Sequence, residues 1–301
     1  MPQQTKAAIA FALLCFFWGT TYLGIKVALD YFPPFYLSAI RHLIAGALFV
    51  GIALIQKYEW PSLEDMKRLF VNGALMVVGG NGLVCWAEQS ISSGLTAIIC
   101  SLSPIFITLM SILFFKGFRI TGLILVGLLL GFSGILLISY KQINGITADS
   151  FGVSVLFLLM ATICWGLGSV FIKRFPTQTP INMTIGMQML LGGIVNFVIS
   201  KIIGEQPKTI AEWQPEAYYA MLYLIVFGSL VGYACYLYVL GFYTPARVSV
   251  HSYINTVVAV TLGWLIRNEQ LDFYVLIGMC VTLAGVLLTN YEYSRMKKLA
   301  E

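Results

Sequence analysis

Lys26, Arg41 and Glu88 each stand inside or at the edge of a long apolar run, where a charge has to be explained. Ionisable groups at membrane depth are costly and face a bundle interior or a water-filled cavity. Trp18, Tyr22 and Lys26 are spaced by four and share one helix face. Lys26 either draws an anionic group, such as a substrate carboxylate, or snorkels from its helix end to the interface. Arg41 has two readings, a bond to backbone carbonyls at a helix end or an ion pair with Glu88 or Asp30. Further hydrogen-bonding and aromatic groups come from Asn81, Trp86, Ser101 and Ser103, then from Trp165, Tyr233, Tyr236, His251, Tyr253 and Asn255. Substrate contact and bonding between helices are both open to them. His251 can carry a proton or serve as a packing residue. Lys173, followed by Arg174, reads as a cytoplasmic anchor. Pro104 is expected to kink its helix and free carbonyls beside Ser101 and Ser103.

This is chemistry for binding more than for reaction. An intramembrane enzyme needs a nucleophile with a base, paired aspartates or a metal cluster. The histidines are His42 and His251, and no H-E-x-x-H or G-x-S-x-G is present. An ATP-driven pump would need a G-x-x-x-x-G-K-[ST] loop, which is also missing. The six cysteines sit in apolar runs with no C-x-x-C pair. No catalytic residue, metal or cofactor is expected, and no filter-like segment suggests a channel.

The elements that must hold these residues are membrane helices. Of the 301 residues, 59% are hydrophobic and 10% charged, with mean hydropathy +0.86. Soluble domains carry about 25% charged residues, so much of this chain must face lipid. The positive excess is an orientation signal and not a nucleic-acid patch. Taking about 20 apolar residues per crossing, spans are expected near 7–29, 34–55, 69–88, 92–115, 120–139, 152–173, 180–203, 217–241, 246–266 and 273–291. The first has no cleavage pattern and reads as a retained helix. Twelve Lys and Arg (Lys6, Lys57, Lys67, Arg68, Lys116, Arg119, Lys173, Arg174, Arg247, Arg295, Lys297, Lys298) fall on one side, against Lys141, Lys201, Lys208 and Arg267 on the other. By the positive-inside rule both termini are cytoplasmic.

The chain also repeats itself. Trp18-Gly19 through Ile25-Lys26 returns as Trp165-Gly166 through Ile172-Lys173, and Gly46 meets Gly193 at the same spacing. Pro34 and Pro180 open the next helices, and Gly127 and Gly134 correspond to Gly278 and Gly285. The two units are expected over residues 1–145 and 146–301 of one bundle. Each has five spans, an odd number, so the second enters the membrane inverted, as in many secondary transporters. The motifs Gly127-x-x-x-Gly131 and Gly228-x-x-x-Gly232 permit close helix approach, inside the bundle or in a dimer.

The W-G-x-x-x-x-x-I-K pattern once per half, Arg41 early in helix two and Ser103-Pro104 in helix four resemble the EamA-type members of the drug/metabolite transporter superfamily. The resemblance covers nearly the whole chain and implies an all-α fold of ten transmembrane helices, two inverted five-helix repeats around a central cavity. It also implies export of amino acids or related small metabolites without ATP hydrolysis. The halves differ, with Asn255-Thr256 where the first has Ser103-Pro104 and Gln188 opposite Arg41, so the cavity should be chemically asymmetric. Helix one lacks the carboxylate a lipophilic-cation extruder would use, and Lys26 and Arg41 favour carboxylate-bearing substrates over multidrug cations. The expected partners are a small-molecule substrate and the lipid bilayer of a bacterial inner membrane, for a monomer or homodimer.

Overall fold

Caps and breakers, more than apolar content, decide where the helices begin and end. The computed structural model describes residues 2–115, 120–139, 148–267 and 273–300, and the regular elements in them are helical. In chain order they are α1 (Gln3–Ala28), α2 (Pro34–Ile55), α3 (Leu63–Ala87), α4 (Ser93–Phe114), α5 (Gly122–Ser139), α6 (Ala148–Arg174), α7 (Ile181–Ile202), α8 (Pro215–Phe242), α9 in two pieces (Pro245–Ser249 and His251–Arg267) and α10 (Phe273–Ala300). Lys116, Arg119 and Lys141 of the charge count lie outside the described residues. The Ser62 hydroxyl accepts from Asp65 N at 3.1 Å, so α3 begins six residues before its expected span. Ser92 and Thr244 start α4 and α9 in the same way.

Eight helices among the described residues are long and apolar enough to cross a membrane. The others are α5, with a shorter apolar stretch at Gly122–Gly134, and α9, which is divided at Val250. Large apolar side chains such as Phe16, Leu48, Leu113, Leu129 and Leu287 cover the outside, as lipid requires.

Packing joins the two halves along their length. α1 lies against α8 and α9, and α6 lies against α3 and α4. The most extensive pairs, α2 with α7 and α5 with α10, also cross between halves. At α5–α10 the backbones nearly touch: a Cβ on Gly285 would sit 2.4 Å from Gly131 N and 2.5 Å from Gly127 O. Gly228 and Gly232 of the other small-residue motif face Thr21 and Trp18. Both motifs are thus used in packing within the chain.

Two stretches, Ala74–Gly82 in α3 and Leu224–Gly232 in α8, have π-helical geometry. Such widened turns break the usual hydrogen-bond ladder and often mark functional sites. Side chains reach into them: Asn81 Nδ2 donates to Met76 O (3.1 Å), Asn196 Nδ2 to Val77 O (3.2 Å) and Trp18 Nε1 to Gly228 O (2.9 Å). α4 is interrupted at Ser101-Leu102, and Pro104 lies in the first turn of its second piece, Ser103–Phe114. There a missing N–H costs little. The Cys100 carbonyl is not left for a ligand as expected, because Ser103 Oγ donates to it at 2.6 Å.

Candidate functional site

The π stretches and the break in α4 surround one cavity between the halves. Its lining comes from α1 (Trp18, Thr21, Tyr22, Ile25), α2 (Arg41, His42), α3 (Gly80, Asn81, Val84), α4 (Cys100, Ser103), α6 (Ala161, Thr162, Trp165), α8 (Gly228, Tyr233) and α9 (His251, Ser252, Asn255). It encloses about 730 Å³ of empty space, open mouth included.

One wall is aromatic. Trp18 and Trp165, the repeated tryptophans, meet edge to face at 5.1 Å. Tyr236 stacks on Trp18 at 5.2 Å, and His251 meets the same indole at 5.3 Å. Tyr236 is fully buried beneath this layer, its hydroxyl donating to Ser169 Oγ at 2.5 Å. It supports the wall without lining the cavity.

Arg41 supplies the charge. It is 2% exposed, its Nη2 donates to Asn81 Oδ1, and its Nε has no partner. Asn81 spends its own amide hydrogen on Met76 O, so the π stretch of α3 positions the acceptor that orients the guanidinium. No carboxylate among the described residues makes an ion pair with Arg41, so neither the Arg41–Glu88 nor the Arg41–Asp30 pairing is formed. Asp30 is exposed, and its carbonyl accepts from Lys208 Nζ at 2.9 Å.

Opposite Arg41 in sequence, Gln188 of α7 is fully buried and accepts from the Tyr233 hydroxyl at 3.1 Å. The halves are chemically unlike here, as their divergence suggests. His251 and Asn255, one turn apart on α9, bond to each other at 3.1 Å. With its oxygen turned to the histidine ring, the Asn255 amide also donates to His251 O and Cys15 O, each at 2.9 Å. That ties α9 to α1.

The remaining sequence candidates lie around the cavity. Lys26 Nζ donates to Glu88 O (2.6 Å) and Ile91 O (3.0 Å), just past the end of α3. Lys173 Nζ donates to Leu240 O (2.7 Å) and Gly241 O (3.2 Å), at the end of α8. The Ile-Lys of each repeat thus caps the C-terminal end of its own half's third helix, where a cation suits the free carbonyls. Lys173 is therefore a bundle contact as well as part of the basic edge. Trp86 stacks on Phe157 at 4.2 Å, and buried Ser101 donates to Ile98 O. Pro104 is buried near the α4 break, and Glu88 is buried with neither carboxylate oxygen hydrogen-bonded. Thr21, His42, Thr162 and Ser252 line the cavity without having been singled out. Their one signal in the sequence is polarity at membrane depth. His42 Nδ1 lies 2.6 Å from Ser38 O, and Asn196 Nδ2 donates to Ser38 Oγ at 2.9 Å. No group of three metal-ligating side chains gathers among the described residues.

Apolar helices around an internal cavity lined by aromatic and hydrogen-bonding side chains define a class, a membrane protein with an internal site for small molecules. The EamA-like transporter family model matches twice, over residues 5–140 and 152–291, and the chain belongs to this family. Its relatives are EamA-type members of the drug/metabolite transporter superfamily. The uncharacterized inner membrane transporter YedA of Escherichia coli is 30% identical over 91% of this chain and 87% of its own. The uncharacterized transporter YoaV of Bacillus subtilis is 26% identical over 98% and 100%, and the WAT1-related protein At3g02690 of Arabidopsis thaliana 27% identical over 92% and 67%. A solved crystal structure superposes with TM-score 0.75 at 19% identity, covering 97% of this chain and 99% of the other, a likeness of fold.

Proposed function

We propose that this integral membrane protein is a secondary transporter of small carboxylate-bearing metabolites, amino acids or their relatives, exporting them across the cytoplasmic membrane by alternating access. The observation that carries the reading is Arg41, a buried guanidinium at the cavity wall with an unpartnered Nε and no ion pair among the described residues. Guanidinium is built to take a carboxylate through two N–H donors. Trp18 and Trp165 offer apolar faces, while Tyr22, Ser103, His251 and Asn255 offer groups that fix orientation. Lys26 is occupied by carbonyls, so the carboxylate contact passes to Arg41.

In this reading all ten helices cross the bilayer, α5 and α9 shielded by their neighbours, and the halves are inverted repeats. Support comes from the double family match, the paired packing of α1 and α6, and the paired π stretches. The charge bias puts both termini in the cytoplasm and the Lys26 end outside. The tight glycine faces are already filled within the chain, which favours a monomer. The alternative, multidrug or cation efflux, draws on the aromatic wall, but the charge of Arg41 opposes it.

Purified protein in liposomes should take up some of a panel of radiolabelled amino acids saturably. Arg41→Ala should abolish that uptake, while Trp18→Phe should weaken binding. Uptake of cations alone, or of amino acids undiminished in Arg41→Ala, would overturn the substrate reading.

A further inference from the structure

Glu88 follows the last residue of α3 at zero exposure, and neither carboxylate oxygen has a hydrogen-bond partner. The groups that face it are Lys26 and Tyr22 from α1, Arg41 from α2, Cys85 from α3, and Thr96 and Cys100 from α4. α6 brings apolar Phe157 and Leu158 to the surrounding cluster. Two cations are therefore in reach, and neither turns to the carboxyl. Lys26 is spent on Glu88 O and Ile91 O, the backbone on either side of the carboxyl, while Arg41 gives one donor to Asn81 and its unpartnered Nε bonds to neither carboxylate oxygen. Thr96 stands beside Glu88 with its hydroxyl donating to Ser92 O at 3.0 Å. A buried ionised carboxylate would draw at least one of these donors, because its desolvation is otherwise uncompensated. The arrangement suits a carboxyl that carries its own proton.

Glu88 is also held by parts that must move. It sits where α3 hands over to α4, under the Lys26 cap and behind Tyr22 and Val84 of the cavity wall. Parting α1 from this corner would bring water to the carboxyl and free Lys26 to pair with its anion. We infer that Glu88 is a proton-carrying site that couples substrate movement to the proton gradient. It holds a proton while the cavity is shut and exchanges it with water on one side of the membrane when α1, α3 and α4 part. When the opposite end opens, it exchanges with the other side through the cavity, past Tyr22 and Val84. Only the O–H bond is made and broken, and the proton comes from water and returns to it.

Coupling rests on the transporter reading above, but the proton site itself does not, so two measurements keep them apart. Infrared difference spectra of the liposome-reconstituted protein should contain the carbonyl stretch of a protonated carboxyl at neutral pH. That band should vanish in Glu88→Gln and shift in Glu88→Asp. Its absence in the wild type, or its persistence in a folded Glu88→Gln protein, would overturn the proton site whether or not a substrate is known. In amino-acid transport, an imposed pH gradient of one polarity should speed wild-type uptake several-fold. Glu88→Gln should ignore gradients of both polarities yet still exchange labelled for unlabelled amino acid at equal pH. Wild-type transport indifferent to the gradient, or a gradient response kept by Glu88→Gln, would overturn the coupling. If no amino acid moves, the substrate reading falls and the spectra still decide the proton site.

Discussion

At the scale of single residues, chemically similar side chains have been sorted by their partners. Lys26 and Arg41 are both basic groups in apolar helices, yet one caps a helix end and the other faces the cavity. Their substitutions should therefore differ in kind. Lys26→Ala removes charged hydrogen bonds to buried carbonyls, worth about 1–3 kcal/mol. It should lower the thermal midpoint of the detergent-purified protein while leaving substrate affinity nearly intact. Arg41→Lys should do the reverse. It keeps the charge and much of the stability but loses the planar pair of donors, weakening substrate binding by about 10-fold or more. Equal loss of stability and affinity in both variants would undo the distinction. The sequence makes each of these residues conspicuous, because charge in an apolar run is visible in one dimension. It does not separate them, because the deciding partners are contributed from elsewhere: Ile91 O lies 65 residues from Lys26 and Asn81 lies 40 residues from Arg41.

At the scale of helices, the second half repeats the devices of the first with different residues. α7 ends in a left-handed residue, Gly204 (φ +75°), which turns Glu205 back so that its carboxylate accepts from Phe35 N (3.1 Å) and Tyr36 N (2.8 Å). A carboxylate at the start of α2 matches the helix dipole. The equivalent end of α2 uses Lys57 at φ +58°. A side chain in that conformation costs about 1–2 kcal/mol, against roughly 0.5–1 kcal/mol for the freedom of glycine in the unfolded chain. Lys57→Gly should therefore raise the thermal midpoint slightly, and Gly204→Ala should lower it. Gly285→Ala should be worse, by about 1–3 kcal/mol, because its new methyl meets backbone and not a yielding side chain. A Gly285→Ala protein as stable as wild type would mean α5 and α10 are not in close contact. Helix existence and most boundaries were legible from apolar runs and prolines. The π stretches were not, because Ala74–Gly82 and Leu224–Gly232 read as ordinary apolar helix until Asn81, Asn196 and Trp18 are seen bonding to their carbonyls. The break in α4 was anticipated at Pro104, yet it falls just before, since proline fits the first turn of a helix better than its middle.

At the scale of the molecule, the two lysine caps bear on how the transporter moves. Lys26 fastens α1 to the end of α3, and Lys173 fastens α6 to the end of α8. If the halves are inverted, these fastenings lie at opposite faces of the membrane, and each helps to hold one end of the cavity shut. An alternating-access protein keeps two such closed ends near balance, so removing one fastening must favour opening on that side. About 1–2 kcal/mol lost from one end changes the ratio of the two states by roughly 5–30-fold. Cys100 is a suitable reporter because it lines the cavity and is 8% exposed. With Cys100 as the sole remaining cysteine, alkylation by a membrane-impermeant maleimide added outside should quicken in Lys26→Ala and slow in Lys173→Ala. Added inside, the same reagent should show the opposite order. Such a crossing pattern requires two ends that exchange, whereas a channel-like protein would react faster from both sides in both variants. Parallel changes would thus argue against inverted halves, even with the family assignment intact.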